Sequence, residues 1–239
     1  MKHYKPFQFK QFSIEQSNAA MKVGTDSVLL GAWAKINPKE RILDIGTGTG
    51  ILPLMLAQKV NGDCQIDAIE IDSLAIIDAQ INFKNSKWSA RLNLIENDFN
   101  LYKFSTSYDV IISNPPFFEG LAPTHKSRST ARNASDKLSY KNLISKASQL
   151  LKKSGRMYLV IPIENYDKVI QLASNNGLEL KSKLSLRPKL GKAINRVLIE
   201  LVKEGEFSGT LISNELIIRT EENIYTYKHK LLTKGYYLQ

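Results

Sequence analysis

Apolar residues along the chain fall into two alternating patterns. Runs rich in Ile, Leu and Val at Arg41 to Ile45, Gln65 to Ile71, Leu92 to Glu96, Tyr108 to Ser113 and Arg156 to Ile161 predict buried strands, because a strand covered on both faces needs apolar side chains at consecutive positions. Between them, residues at helical spacing predict helices over Ile51 to Val60, Leu74 to Asn85 and Leu138 to Leu151. Pro53 falls in the opening turn of the first, where a missing backbone N–H is harmless. A helix over Asn165 to Asn175 then leads to strands at Leu178 to Leu186 and Arg196 to Val202. This alternation predicts an α/β fold, a mostly parallel seven-stranded sheet with helices on both faces and an antiparallel last strand.

The two ends are less regular. Phe7, Phe9 and Phe12 suggest an extended piece, and Thr25 is the expected N-cap of a helix from Asp26 to Ala34. Residues 1–36 are therefore read as a lid segment, and residues 204–239 as a short C-terminal extension holding a strand and a basic, tyrosine-rich stretch, both within a single domain over residues 1–239. Leu121 to Asp136 is a long polar loop carrying Lys126, Arg128 and Arg132, and loops of that length inside compact domains are commonly functional.

Composition narrows the class. With 43% hydrophobic and 23% charged residues over 239 positions, the chain is neither collagen-like nor disordered, and it is long enough to bury a core without staples. Cys64 is alone, so no intrachain disulfide or cysteine zinc cluster can form, and His3, His125 and His229 are too scattered to suggest a metal site. No run of 18 apolar residues and no leader-like apolar region occurs, so a cytoplasmic protein without a membrane span is expected. Charge is unevenly placed: residues 1–120 hold 12 Lys and Arg against 13 Asp and Glu, whereas residues 121–239 hold 21 against 10. That excess suits a phosphate-bearing partner, and equally suits a solubilising surface.

The strand ending at Ile45 runs into Gly46, Thr47, Gly48, Thr49 and Gly50, with Asp44 in front. Glycines at a first strand-to-helix turn let the backbone approach a ligand, although a tight connection alone could also require them. The spacing is GxGxG rather than the GxxG-ended form of dinucleotide sites. Glu70 closes the second strand, where a carboxylate can accept from ribose hydroxyls, and Asn97 and Asp98 close the third, where one can accept from an exocyclic amine. Three successive strand ends in register with a glycine turn point to a nucleoside site.

The fourth strand delivers Asn114, Pro115, Pro116 and Phe117. The prolines hold Asn114 extended, with its amide and carbonyl aimed away from the strand. An amine on a flat ring fits that arrangement: the Asn114 oxygen and the Pro115 carbonyl accept its N–H bonds while Phe117 stacks on the ring.

Asp44 to Gly50, Glu70, Asp98 and Asn114 to Phe117 resemble the ordered motifs of class I, Rossmann-like S-adenosylmethionine methyltransferases with an N-P-P-[FY] signature, which methylate exocyclic or amide nitrogen. The upstream run Met21 to Asp26 with Leu29 to Trp33 is similar to that of bacterial tRNA1(Val) adenine-N6 methyltransferases. The resemblance implies S-adenosylmethionine as cofactor, tRNA as partner and adenine N6 as target; the sequence does not reveal oligomeric state, and a monomer is favoured. It implies cofactor contacts at Lys22, Thr25, Asp44, Gly46, Thr47, Gly48, Gly50, Glu70, Ile71, Asn97, Asp98 and Asn114, and base contacts at Asn114, Pro115, Pro116 and Phe117. Lys126, Arg128 and Arg132 at the pocket rim are expected to meet RNA phosphates. The same signature also serves ribosomal RNA guanine-N2 and protein glutamine methyltransferases; the latter usually carry a helical N-terminal domain for which this chain has no room before Asp44.

Overall fold

A computed structural model describes residues 5–60, 62–115 and 138–238. Its centre is one eight-stranded sheet. Five strands are those expected near the middle of the chain: β3 (Arg41–Ile45), β4 (Gln65–Glu70), β5 (Leu92–Glu96), β6 (Tyr108–Ser113) and β7 (Leu151–Pro162). β8 (Leu178–Lys189), β9 (Arg196–Lys203) and β10 (Ile212–Arg219) complete it in the order β10-β8-β9-β7-β6-β3-β4-β5. β9 alone runs against its neighbours β7 and β8. It returns from β8 through a short connection, which permits only an antiparallel pair.

The count of seven strands is corrected to eight. β10 lies in the C-terminal extension and pairs parallel to β8, from Ile212 with Ser182 to Arg219 with Lys189. Only Leu216 and Ile218 of this edge strand are buried, so its apolar signal is half that of a central strand. The extension is built into the domain: helix α6 (Tyr227–Thr233) packs on β10, and the buried Tyr236 hydroxyl donates to the Met55 carbonyl at 3.2 Å.

Alternate residues of the same strands feed two cores, as a pleated strand requires. Ile42, Val110, Ile112 and Val160 face α1 (Thr25–Trp33) and α2 (Ile51–Lys59), whereas Leu43, Ile111, Leu159 and Ile161 face α4 (Tyr140–Leu150) and α5 (Tyr166–Ser174). Helix α3 (Ser73–Lys84) adds Phe83 to the first core. α1 starts one residue earlier than expected. Gly24 occupies the N-cap position in extended conformation, and Thr25 is the first helical residue rather than the cap.

The N-terminal segment forms a small hairpin, β1 (Phe7–Gln8) with β2 (Ser13–Ile14), held by Phe9 stacked between Phe12 at 4.7 Å and Tyr237 at 5.8 Å. Beyond it the chain is bonded to α3: Asp78 accepts from the Asn18 and Ala19 amides at 3.0 and 2.7 Å, and Asn82 accepts from the Glu15 amide at 2.7 Å. The carboxyl ends of β3, β4, β6, β8 and β10 share one edge of the sheet, where open α/β sheets bind ligands.

Candidate functional site

The glycine turn leaves β3 at that edge and is strapped to β4 by the Gly46 and Thr47 amides, which donate to the Ile69 carbonyl at 2.9 and 3.1 Å. Gly48 and Gly50 have φ of +57° and +79°, in the left-handed region that favours glycine. Their surroundings differ. A Cβ at Gly48, as at Gly46, meets nothing within 4 Å, whereas one at Gly50 would lie 2.4 Å from Phe83 Cε1. The first two glycines border open space a ligand can enter, and the third makes room for a core ring.

Asp44 is completely buried just before this turn, and neither carboxylate oxygen has a hydrogen-bond partner; the buried Thr47 hydroxyl lacks one too. Burial pushes the Asp44 carboxyl up to about 7, the Glu70 charge adds to the rise, and nearby Thr47 opposes it. Apart from the nearby Thr47 hydroxyl this acceptor pair has no donor, and beside a turn with space for a ligand it fits an occupant carrying N–H groups or positive charge. Glu70 is already engaged: it accepts from the Gly48 amide at 2.8 Å through one oxygen and from the Ile71 and Asp72 amides at 2.8 and 2.9 Å through the other. A carboxylate offers about four acceptor positions, so one remains for a single ribose hydroxyl without rearrangement.

Asp98 is half-buried at the end of β5, and one of its oxygens accepts from the Asn100 amide at 2.7 Å. Lys146 of α4 fixes the loop after it, donating to the carbonyls of Phe99, Asn100 and Tyr102. Asn97 and Ile71 are exposed on the same rim, the latter by 42%. The Lys22 ammonium donates to the carbonyls of Gln16 and Ala19, in the segment that leads into α1. Thr25 lies at the start of α1.

Asn114 follows β6, next to β3 in the sheet, and the two strand ends are clamped by Ser113 Oγ donating to the Ile45 carbonyl at 2.6 Å. Its amide nitrogen donates to Ser27 Oγ of α1 at 2.7 Å, and its Oδ1 is buried with no partner. With the amide nitrogen on Ser27, the oxygen is the free end. Pro115 is buried beside it. Pro116, Phe117, Lys126, Arg128 and Arg132 lie outside the described residues. Sequence reasoning missed Ser27, Lys146, and the α3 pair Asp78 and Asn82; Asn82 bridges the Glu15 and Thr49 carbonyls at 2.9 and 2.8 Å and so ties the N-terminal segment to the glycine turn.

This donor and acceptor set fits S-adenosylmethionine: open backbone at Gly46 and Gly48, an unpartnered buried carboxylate at Asp44, a ribose acceptor at Glu70 and a third carboxylate at Asp98. No group of three or more His, Cys, Asp or Glu placed to hold a metal occurs among the described residues. No helix among them is long and apolar enough to cross a membrane.

Comparison with solved structures places the fold among methyltransferases. The chain is similar to a predicted O-methyltransferase, Atu636 of Agrobacterium tumefaciens, with a TM-score of 0.67 at 19% identity over 88% of this chain and 96% of that one. A Pyrococcus furiosus methyltransferase gives 0.59 at 21% over 81% and 89%. In sequence, the protein from Bacteroides thetaiotaomicron named tRNA1(Val) (adenine(37)-N6)-methyltransferase is 42% identical over 97% of both chains. A protein of the same name from Tolumonas auensis is 39% identical over 98% of this chain and 97% of its own. The methyltransferase small domain matches residues 17–176, a span that includes the glycine turn, Glu70, Asp98 and Asn114, and with full-length relatives at this identity the chain belongs to the methyltransferase small domain family of tRNA1(Val) (adenine(37)-N6)-methyltransferases.

Proposed function

We propose that the protein transfers a methyl group from S-adenosylmethionine to the exocyclic N6 of the adenine beside the anticodon of tRNA1(Val); its relatives are named for adenine(37)-N6 methylation of tRNA1(Val). One observation carries the chemistry: the Asn114 Oδ1 is buried, unpartnered and oriented by Ser27, on the strand adjoining the one that leads into the glycine turn. An acceptor so placed takes a hydrogen bond from an sp² amine and holds its nitrogen toward the cofactor side.

Asp44, Gly46, Gly48, Glu70 and Asp98 hold the cofactor in this reading. Bound S-adenosylmethionine supplies an electrophilic methyl group on a sulfonium. Positioning the amine is then the protein's main task, and an oriented pair of reactants accounts for a large part of such a rate. Asn114 and the Pro115 carbonyl accept the amine hydrogens, and the released proton passes to solvent. The target base must leave its stack, which costs least in an open anticodon loop.

The test offers tritiated S-adenosylmethionine with total tRNA, ribosomal RNA and release factor in parallel, followed by nucleoside digestion of the labelled product. Label in tRNA as N6-methyladenosine is expected. Label confined to ribosomal RNA or to protein refutes the proposal.

A further inference from the structure

The basic stretch Lys126 to Arg132 lies outside the described residues, but a basic feature at the sheet edge that carries Asn114 does not. The turn from β8 to β9 and the turn from β10 to α6 both overhang the edge that carries Asn114. Between them and the start of α1 lies a cavity of about 360 Å³, lined by Thr25, Asp26, Lys189, Asn195, Arg219 and Asn223 over an apolar floor of Leu186, Pro188 and Ile218. We propose that this cavity receives the phosphate and ribose of a nucleotide adjoining the target base; the proposal rests on the tRNA methylation reading and assigns that RNA a docking point.

Three observations carry it. The first is place. Asp26 lines the cavity, and the next residue of α1, Ser27, holds the Asn114 amide at 2.7 Å, so the start of α1 links the cavity to the target-base acceptor. The second is charge. Arg219 is held ready, its guanidinium 3.9 Å from the centre of the Tyr225 ring and donating to the Asn223 carbonyl at 2.7 Å, which leaves further N–H groups for a phosphate. Lys189 adds a second cation, which Glu222 beside Asn223 partly offsets, while the opposing charge of Asp26 is neutralised by Arg196 at 3.2 Å. The third is hydrogen bonding. Asp26 engages Arg196 through Oδ2, so its Oδ1 can accept a ribose 2′-hydroxyl, the group by which a protein tells RNA from DNA. Asn195 and Asn223 can each donate and accept along the sugar and phosphate.

The experiment measures tRNA binding by filter retention across a salt series, with methylation kinetics alongside, for wild type, Lys189→Ala, Lys189→Glu and Asn195→Ala. Lys189 and Asn195 are loop-edge residues, and unchanged melting temperature and S-adenosylmethionine affinity establish that each variant is folded. Lys189→Ala should raise KM for tRNA three- to tenfold with kcat kept, and flatten the slope of log affinity against log salt by about 0.7, one phosphate contact on single-stranded RNA. Lys189→Glu should weaken tRNA further, and a 2′-deoxy stem-loop should bind wild type more weakly than RNA but the Asp26→Asn variant with less discrimination. If wild type binds and methylates tRNA while both Lys189 variants keep its affinity and salt slope, the subsite is refuted and the methylation reading stands. If wild type neither binds nor methylates tRNA, both fall. Free adenosine monophosphate that binds wild type but not Lys189→Glu, with tRNA affinity equal in the two, assigns the cavity to a free nucleotide and also overturns the proposal.

Discussion

Replacing Asp44 by Asn removes a charge that the empty fold holds at a cost. In the folded chain the carboxyl is fully buried without a donor and titrates at about 7, against an ordinary value of 3.8. The sign follows from linkage. A buried acid with a raised value favours the protonated form, so its penalty is absent below the unfolded value and grows as pH rises toward 7. That rise corresponds to about 4 kcal/mol at pH 8 and about 1.5 kcal/mol at pH 5. Asp44→Asn keeps the shape and cannot ionise, so without cofactor it should be more stable than wild type at pH 8 by a few kcal/mol, a gain that shrinks by about 2 to 3 kcal/mol at pH 5. Urea unfolding at the two pH values measures this directly. The same variant should bind S-adenosylmethionine more weakly by calorimetry, because the lone acceptor pair is what the ligand satisfies. A variant less stable than wild type at pH 8, or a stability gap independent of pH, would show that Asp44 is partnered in the folded chain and refute the reasoning.

Ser27→Ala removes the acceptor that orients Asn114, an interaction worth about 1 kcal/mol, so kcat should fall roughly fivefold with S-adenosylmethionine affinity unchanged. Ser27→Thr, which keeps the hydroxyl, should recover most of the loss, and in an Asn114→Ala background Ser27→Ala should cost nothing more, as single-turnover assays of the double variant would register. Gly48→Ala and Gly50→Ala should weigh differently on binding and folding: the first places a methyl in ligand space, weakens the cofactor and destabilises only by the about 1 to 2 kcal/mol of a left-handed backbone, whereas the second also drives a methyl into Phe83 and should destabilise by about 2 to 5 kcal/mol. His229 is buried with neither ring nitrogen partnered, and burial with the Arg219 charge lowers it to about 4. Its neutral form is favoured in the fold, so stability present above pH 6.5 should be lost as pH falls toward 4, by up to about 3 kcal/mol, and His229→Phe should remove that acid sensitivity in melts at pH 7 and pH 5.

Strands were legible wherever burial on both faces made every position apolar. Ile42, Leu43 and Ile45 of β3, or Val110, Ile111 and Ile112 of β6, carry that signal within a few residues. β10 does not, because as an edge strand it buries only Leu216 and Ile218, and its parallel pairing with β8 is decided by residues 30 positions earlier in the chain. The start of β7 was misplaced for a related reason. Lys152, Lys153 and Ser154 are exposed and read as a loop, yet their backbone already belongs to a strand that begins directly after α4.

The site divides along the same line. Asp44, the glycines, Glu70 and Asn114 each close a strand, so a local pattern fixes both the residue and its address on the sheet edge. What holds them in working position is non-local. Ser27 meets Asn114 across 87 residues, Asn82 meets the Glu15 carbonyl across 67, and Lys146 reaches the Tyr102 carbonyl across 44. No spacing rule relates such pairs, because each joins a helix to a strand end, a loop or the N-terminal segment that the tertiary fold brings against it. The contrast has a physical purpose. Acceptors left open for a ligand, at Asp44 and Asn114, weaken the empty fold, and they stay open only while neighbouring groups cannot collapse onto them. Clamps bonded at several positions, at Glu70, Asn82 and Lys146, supply that rigidity, so substitutions in the clamps should disturb cofactor affinity and stability together, whereas substitution of Asp44 should move them in opposite directions.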